Sequence, residues 1–354
     1  MTQTVPATTL LEWATDIVAR WGYRHDDARY IAETLVDANL RGVDSHGIMR
    51  LPAYYERVRH GLTEPAATAV TTIHGATAQV NADRVAGQLA AREAVRTATT
   101  IANELGVAAV TVSGSSHFGA AGFYARELAE NGLFSMVMSN SEPIVVPFGG
   151  RTSLLGTNPL ALAAPTEDGV VAVDMATSQA AMGKVYGARL SNTPIPADWG
   201  VDSTGRPTTD PHAVTALLPA GGPKGYALGF FVEMLSAVLS GAAITHDVGD
   251  MYKDFSKTQN VGHFFLAISV ENFMSRADFE RRAQTLITLA HGTEPVDPSR
   301  PVLVPGEPEQ LTSRARLEAG VPLSDGVVEE LATLSDALGV PWPGGVAAAA
   351  ASTP

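Results

Sequence analysis

A mixed α/β body preceded by a helical region is the fold class that this chain predicts, on three observations. Apolar residues recur at helical spacing through roughly the first sixty positions. From about residue 106, short apolar runs alternate with amphipathic stretches of helical period. Composition agrees, because 354 residues with 45% hydrophobic and 17% charged side chains can bury a large core in two or three lobes.

Taken in order, Leu10, Leu11, Ala14, Ile17, Val18 and Trp21 form one helical stripe, closed by Gly22. Ile31, Ala32, Leu35, Val36 and Ala38 form a second, leading to Asp44-Ser45-His46-Gly47. A third helix is expected from about Ile48 to Gly61, with Pro52 in its first turn or kinking it. Ala86 to Leu105 is helical by alanine content and period. Val107 to Val112 reads as a buried strand, Ala120 to Asn131 as a helix and Leu133 to Met138 as a strand. Short strands follow at Leu160 to Ala164 and Val170 to Asp174. Pro194 to Pro211, rich in Pro, Gly, Asp and Thr, is expected to be an ordered surface loop or a linker. Lys224 to Gly241 is expected as a long buried helix, His263 to Val270 as a strand, and Arg276 to His291 as a helix. The last helix is expected over Leu323 to Leu338 with Ser324 as its cap. The expected domains are residues 1–105, helical and packed with the C-terminal helices; 106–300, the α/β body; 301–342, returning to the first region; and 343–354, a disordered tail.

A net charge of −13 without any basic run argues against a nucleic-acid partner. The absence of cysteine excludes disulfides, thiolate nucleophiles and cysteine-ligated zinc, and a cytoplasmic location is expected. Residues 1–9 lack the basic region and apolar core of a signal peptide. Tyr226 to Ile244 imitates a membrane span with a single charge, Glu233, and the expectation is a core helix instead. No Gly-x-Gly occurs among 33 glycines, so the usual dinucleotide fingerprint is absent. Gly183-Lys184 precedes Val185, which rules out a Walker A loop, and there is no Gly-x-Ser-x-Gly elbow. No two of the 9 histidines are within four residues, and no metal is expected.

Four constellations remain. On a helix His46 and Arg50 would share a face that Tyr54 extends, pairing a proton-transfer group with a fork that grips carboxylates. The alternative is capping by Asp44 or Ser45, with His46 and Arg50 merely solvated. Ser113 to Gly119 carries His117 between a strand and a helix, where it exchanges a hydroxyl proton or simply sits in a turn. Ala220 to Gly225 places Lys224 near a helix N-terminus, suiting a diphosphate or a plain tight turn. Asp174, ending a strand before Met175-Ala176, accepts from ribose hydroxyls or caps the following helix.

Together these segments resemble the family of malate, L-lactate, sulfolactate and ureidoglycolate dehydrogenases that lacks the Rossmann fold. The resemblance runs from about Leu10 to Leu338. It rests on RGVDSHGIMRLPAYY (41–55), SSHFGAAGFYA (115–125), VVPFGG (145–150), GTNPLALAAP (156–165), VDMATSQAAMGKV (173–185), GRPTTDP (205–211), GGPKGYALGFFVEMLSAVLSG (221–241) and VPGEPEQ (304–310). Residues 192–228 and 141–150 are most similar to the ureidoglycolate branch, whereas the His117 loop and residues 260–268 follow the general family pattern.

The resemblance implies a non-Rossmann NAD(P)-binding fold with a mixed sheet, a small carboxylate substrate, NAD or NADP as cofactor, and a homodimer or higher even oligomer. Position by position, His117 matches the family's proton acceptor, and Ser45, His46, Arg50 and Tyr54 match its substrate pocket. Ser141, Asp174, Met175, Ala176, Lys224, Gly306, Glu307 and Pro308 match cofactor contacts. Some relatives give the acid–base role to the position of His46, so the catalytic candidates are His117, His46 and Arg50. The implied reaction is oxidation of ureidoglycolate to oxalurate in allantoin nitrogen salvage. The alternatives are malate, lactate or sulfolactate oxidation, reduction of cyclic imine 2-carboxylates, and a non-catalytic metabolite-binding protein.

Overall fold

The structure is a computed structural model that describes residues 2–344. Most of the expected tail, from residue 345 onward, lies outside the described residues. In chain order the elements begin with β1 (Thr2–Val5), α1 (Ala7–Ala19), α2 (His25–Leu40), α3 (Leu51–Arg59), β2 (Val70–His74), β3 (Thr77–Asn81) and α4 (Gly87–Leu105). Then come β4 (Val107–Ser115), α5 (Ala121–Glu130), β5 (Leu133–Ser139), β6 (Leu160–Thr166), β7 (Gly169–Met175), α6 (Met182–Ser191), β8 (Gly200–Val201) and β9 (Ala216–Leu217). The chain closes with α7 (Pro223–Glu233), β10 (Val261–Ser269), α8 (Arg276–His291), α9 (Glu307–Ala319), β11 (Val321–Ser324) and α10 (Asp325–Leu338).

Two compact units result, one of Met1–Gly61 with Pro308–Pro354 and one of Leu62–Glu307. The expected boundary at 105 is therefore corrected to 61. The hairpin β2–β3 joins the main sheet by parallel pairing of β3 with β4, and the buried alanine face of α4 packs along β4 and β10. Residues 301–307 likewise stay with the second unit.

In the first unit α1 packs on α2, and β1 pairs antiparallel with β11 from Thr2↔Ser324 to Val5↔Val321. Trp13 Nε1 donates to Ser335 Oγ at 3.0 Å, and its ring meets Trp342 edge-on at 4.7 Å. These contacts seat α10 against α1. Ser324 occupies the cap position of α10, but its side chain makes no capping hydrogen bond.

The second unit is built on a seven-stranded sheet of order β2-β3-β4-β10-β5-β6-β7. β3–β4 is the parallel pair and the other neighbours run antiparallel, so the sheet is mixed. β10 is central, and its register sets His263 opposite Val112 on one side and Ser139 on the other. The Pro-rich stretch after α6 is partly paired, as β8 with β9.

The long buried helix expected from Lys224 to Gly241 is corrected. α7 ends at Glu233 and continues through a π turn, Met234–Val238. Its buried face carries Gly225, Gly229, Val232, Glu233, Ser236 and Ala237. The large side chains point outward, with Phe231 65% and Leu239 60% exposed. Small residues let this helix lie close to the sheet, which turns the bulky apolar ones away from it. Among the described residues no helix is long and apolar enough to cross a membrane.

Candidate active site

Between α2 and α3 the chain makes two short 3₁₀ turns, Asp44–His46 and Ile48–Arg50, separated by Gly47 in extended backbone at φ −86 and ψ −159. The expected continuous helix, and with it the shared face of His46 and Arg50 at helical spacing, does not form. Asn39 is the reason. Its Oδ1 accepts the Ile48 N–H at 2.9 Å and its Nδ2 donates to Asp44 Oδ1 at 2.7 Å. A Cβ on Gly47 would lie 2.1 Å from that Oδ1, so only glycine fits. Arg316 of α9 grips Asp44 with both Nη atoms, at 2.6 and 3.0 Å, and also donates to the Asn39 carbonyl. Asp44 is thus an anchor for the turn and makes no cap.

The turn still brings three of the expected residues together. Ser45 Oγ lies 2.9 Å from His46 Nδ1, and Arg50 Nε donates to the Ser45 carbonyl at 2.6 Å. Burial, then the Arg50 charge, lowers the His46 pKa to about 4, so its imidazole is neutral at pH 7. Pro52 sits in the first turn of α3, and Tyr54 follows on the same helix, largely buried.

In the second unit His117 lies in the loop from β4 to α5. Its N–H donates to Gln259 Oε1 at 3.0 Å, and Gln259 Nε2 donates to Glu142 Oε1 at 3.1 Å. Ser116 Oγ accepts the Gly87 N–H at 3.0 Å, tying the same loop to the start of α4. Phe118 stacks flat on His263, with ring centroids 4.1 Å apart, and stacks on Tyr124, whose hydroxyl donates to the Phe118 carbonyl. His263 bridges neighbouring strands, its Nδ1 and Nε2 each 2.8 Å from Ser139 Oγ and Ser115 Oγ. Burial lowers its pKa to about 3. A neutral imidazole therefore supports the loop that carries His117. Sequence reasoning missed Glu142, Gln259 and His263 as supports of this loop, because only strand register brings them to it; the signal available was their place inside the matching segments.

Of the expected cofactor contacts, Ser141 directly follows the Ser139–Asn140 end of the β5 region, and its Oγ accepts the Thr157 N–H at 3.2 Å. Asp174 ends β7 and accepts the Gly122 N–H at 2.7 Å, so it caps the first turn of α5 and not the helix after it. Met175 is exposed and Ala176 half-buried beside it. Gly306, at φ +83, passes so close to β7 that a Cβ would meet the Ala172 carbonyl at 2.2 Å. This brings Gly306 and Glu307 to the strand that carries Asp174. The Glu307 carboxylate accepts the Val304 N–H at 2.9 Å and lies 2.9 Å from His291 Nε2. Pro308 begins the returning segment of the first unit.

Lys224 is exposed in the first turn of α7, after Gly221 and Gly222 at φ +58 and +66. An ammonium beside helix N–H groups and two bare glycines is a donor set that fits a diphosphate. Among the described residues no group of three or more His, Asp or Glu could hold a metal ion.

Comparison with known proteins agrees along nearly the whole chain. The family described as malate/L-lactate dehydrogenase matches residues 5–332. A ureidoglycolate dehydrogenase (NAD(+)) of Escherichia coli strain K12 is 38% identical over 333 residues, covering 93% of this chain and 95% of that protein. The structure of sulfolactate dehydrogenase from Methanocaldococcus jannaschii superposes with a TM-score of 0.90 at 32% identity, covering 96% of this chain and 98% of that one. That of delta1-piperideine-2-carboxylate reductase from Pseudomonas syringae gives 0.84 at 31% identity, covering 94% and 100%. With the mixed sheet, the absent glycine fingerprint and these matches together, the chain belongs to the malate/L-lactate dehydrogenase family.

Proposed function

We propose that this chain is an NAD- or NADP-dependent dehydrogenase that oxidises ureidoglycolate to oxalurate in the cytoplasm, within allantoin nitrogen salvage. The observation that carries this reading is the 38% identity to ureidoglycolate dehydrogenase across 93% of the chain. When bound, the nicotinamide accepts the hydride from the α-carbon of the hydroxy acid. Arg50 holds the substrate carboxylate with its planar fork, while His46, Ser45 and Tyr54 orient the hydroxyl side. His117 takes the hydroxyl proton and returns it in the reverse direction. The low proton affinity of His46 makes it a weak base at neutral pH, which favours His117 in that role. Lys224 and the N-terminus of α7 hold the cofactor diphosphate, and Ser141, Asp174, Met175, Ala176, Gly306, Glu307 and Pro308 line its remaining length.

The chain works as a homodimer or a higher even oligomer, a reading supported by the outward apolar face of α7 and the π turn, where Leu228, Phe231 and Leu239 are exposed.

Two measurements test the reading. Cofactor reduction is followed at the nicotinamide absorbance with ureidoglycolate, malate, lactate and sulfolactate side by side, using NAD and NADP. His117→Ala should lower turnover by about 10² or more with little loss of cofactor affinity; unchanged turnover would move the role to His46. The likeness to piperideine-2-carboxylate reductase supports a second reading, reduction of cyclic imine 2-carboxylates, distinguished by adding such an imine with reduced cofactor. Cofactor binding without turnover of any of these would leave a metabolite-binding protein.

A further inference from the structure

Glu142 places an acid one amide away from the His117 loop, in a protein whose family acts on anions. It follows Ser141 directly, and its Oε1 accepts from Gln259 Nε2 at 3.1 Å. The other end of that amide accepts the His117 N–H at 3.0 Å. Glu142 is half-buried. Burial raises its proton affinity above the ordinary glutamate range; N–H groups of Gln259, Met251 and its own backbone counter this, and the like charge of Asp250 adds to it.

Holding Gln259 does not require a carboxylate. A neutral amide or hydroxyl would accept the same N–H without the cost of desolvating a charge. An acid kept in an unfavourable environment, beside a proton-transfer loop, points to contact with a ligand. The substrates named among the relatives divide on this point. Malate carries a second carboxylate and sulfolactate a sulfonate, whereas ureidoglycolate carries a neutral ureido group with N–H donors.

We propose that Glu142 selects the substituent on the substrate's α-carbon, accepting hydrogen bonds from an N–H-bearing neutral group and repelling a second anion. This rests on the proposed placement of His117 at the reacting hydroxyl. Selection by an unfavourable contact is the usual route to discrimination between ligands of similar size.

The test is Glu142→Gln, which keeps the side-chain length and the acceptor for Gln259 while removing the charge. kcat/KM is measured on the full chain with saturating cofactor for ureidoglycolate, malate, sulfolactate and L-lactate, each expressed relative to lactate, a monoanion with a methyl substituent. Because each ratio is taken within one enzyme, damage to the His117 loop cancels. The malate-to-lactate and sulfolactate-to-lactate ratios should rise at least about tenfold, the scale of a like-charge contact near a protein surface. The ureidoglycolate-to-lactate ratio should fall about tenfold as a charge-assisted hydrogen bond becomes a neutral one. Glu142→Asp, which keeps the charge, should still reject malate, and Glu142→Ser reads the same ratios should the glutamine variant not fold. Ratios unchanged within about twofold in the charge-free variants would overturn the assignment. A wild-type enzyme inert toward ureidoglycolate defeats the proposed function alone, since the malate ratio still reports on Glu142.

Discussion

Replacing Gly47 by alanine should cost about 3 kcal/mol, although the backbone there is open to any residue. At φ −86 and ψ −159 an alanine suffers no backbone strain. The obstacle is the Asn39 amide, whose Oδ1, Cγ and Nδ2 would lie 2.1, 2.4 and 2.6 Å from the new Cβ. Asn39 is only 2% exposed and has no solvent side to swing into. To admit the methyl group it must release the Ile48 N–H and Asp44. Stranding the buried N–H costs about 1–3 kcal/mol, and a lost hydrogen bond to a charged group about 1.5–3, softened here because Arg316 still holds Asp44. The assay is urea unfolding at fixed protein concentration, followed by tryptophan fluorescence, since Trp13, Trp21 and Trp342 lie in the first unit. A double-mutant cycle sharpens it. With Asn39→Ala already present, Gly47→Ala should add less than about 1 kcal/mol, because its collision partner is gone. A Gly47→Ala variant within about 0.5 kcal/mol of wild type, or strictly additive effects, would refute the close-approach account.

Three further outcomes are expected. Arg50→Lys should raise the substrate KM about tenfold or more with cofactor affinity unchanged, because an ammonium cannot reproduce the planar fork; kinetically silent substitution would remove Arg50 from the pocket. His263 has an ordinary pKa of 6.5 that falls to about 3 in the folded chain, so the unfolded chain binds the extra proton between those values. Its stabilising contribution is complete above pH 6.5 and declines toward pH 3, with a slope approaching about 1.4 kcal/mol per pH unit. His263→Asn should flatten that acid limb in urea titrations run at several pH values, and an unchanged limb would show that His263 takes up its proton in the folded state. Finally, Phe231→Glu with Leu239→Glu should lower the mass found by sedimentation to that of one chain, and an unaltered mass would place the oligomer contact elsewhere.

Much of the fold was legible where local pattern and structure coincide. The helix expected from Arg276 to His291 has those same bounds, because Ser275 caps it by accepting the Asp278 N–H and Gly292 closes it. Elements defined by distant pairing were not legible. β1 and β11 are short and exist through each other, and the Thr-rich β2 leaves Val70 and Ile73 exposed, so neither shows the alternation of a half-buried strand. The site divides the same way. Ser45, His46 and Arg50 were found by their spacing, yet the reason they meet is Asn39, which no helical pattern includes. Asp174 was correctly seen as a possible cap, but the helix it caps is one that packs beside its strand. Glu142 and Gln259 reach the His117 loop only through the sheet.

The π turn at the end of α7 has a consequence for how this protein can evolve. The Leu239 N–H reaches back five residues to Met234, so the helix holds one residue more than an α-turn would. Removing one residue there would rotate everything downstream by about 100°. The Ala243 carbonyl that receives Asn140, and the Thr245 N–H that meets the Glu233 carboxylate, would both be swung out of phase. Point changes along Met234–Val238 are therefore far more tolerable than a single-codon deletion, and homologous chains should keep their length there even where their letters differ.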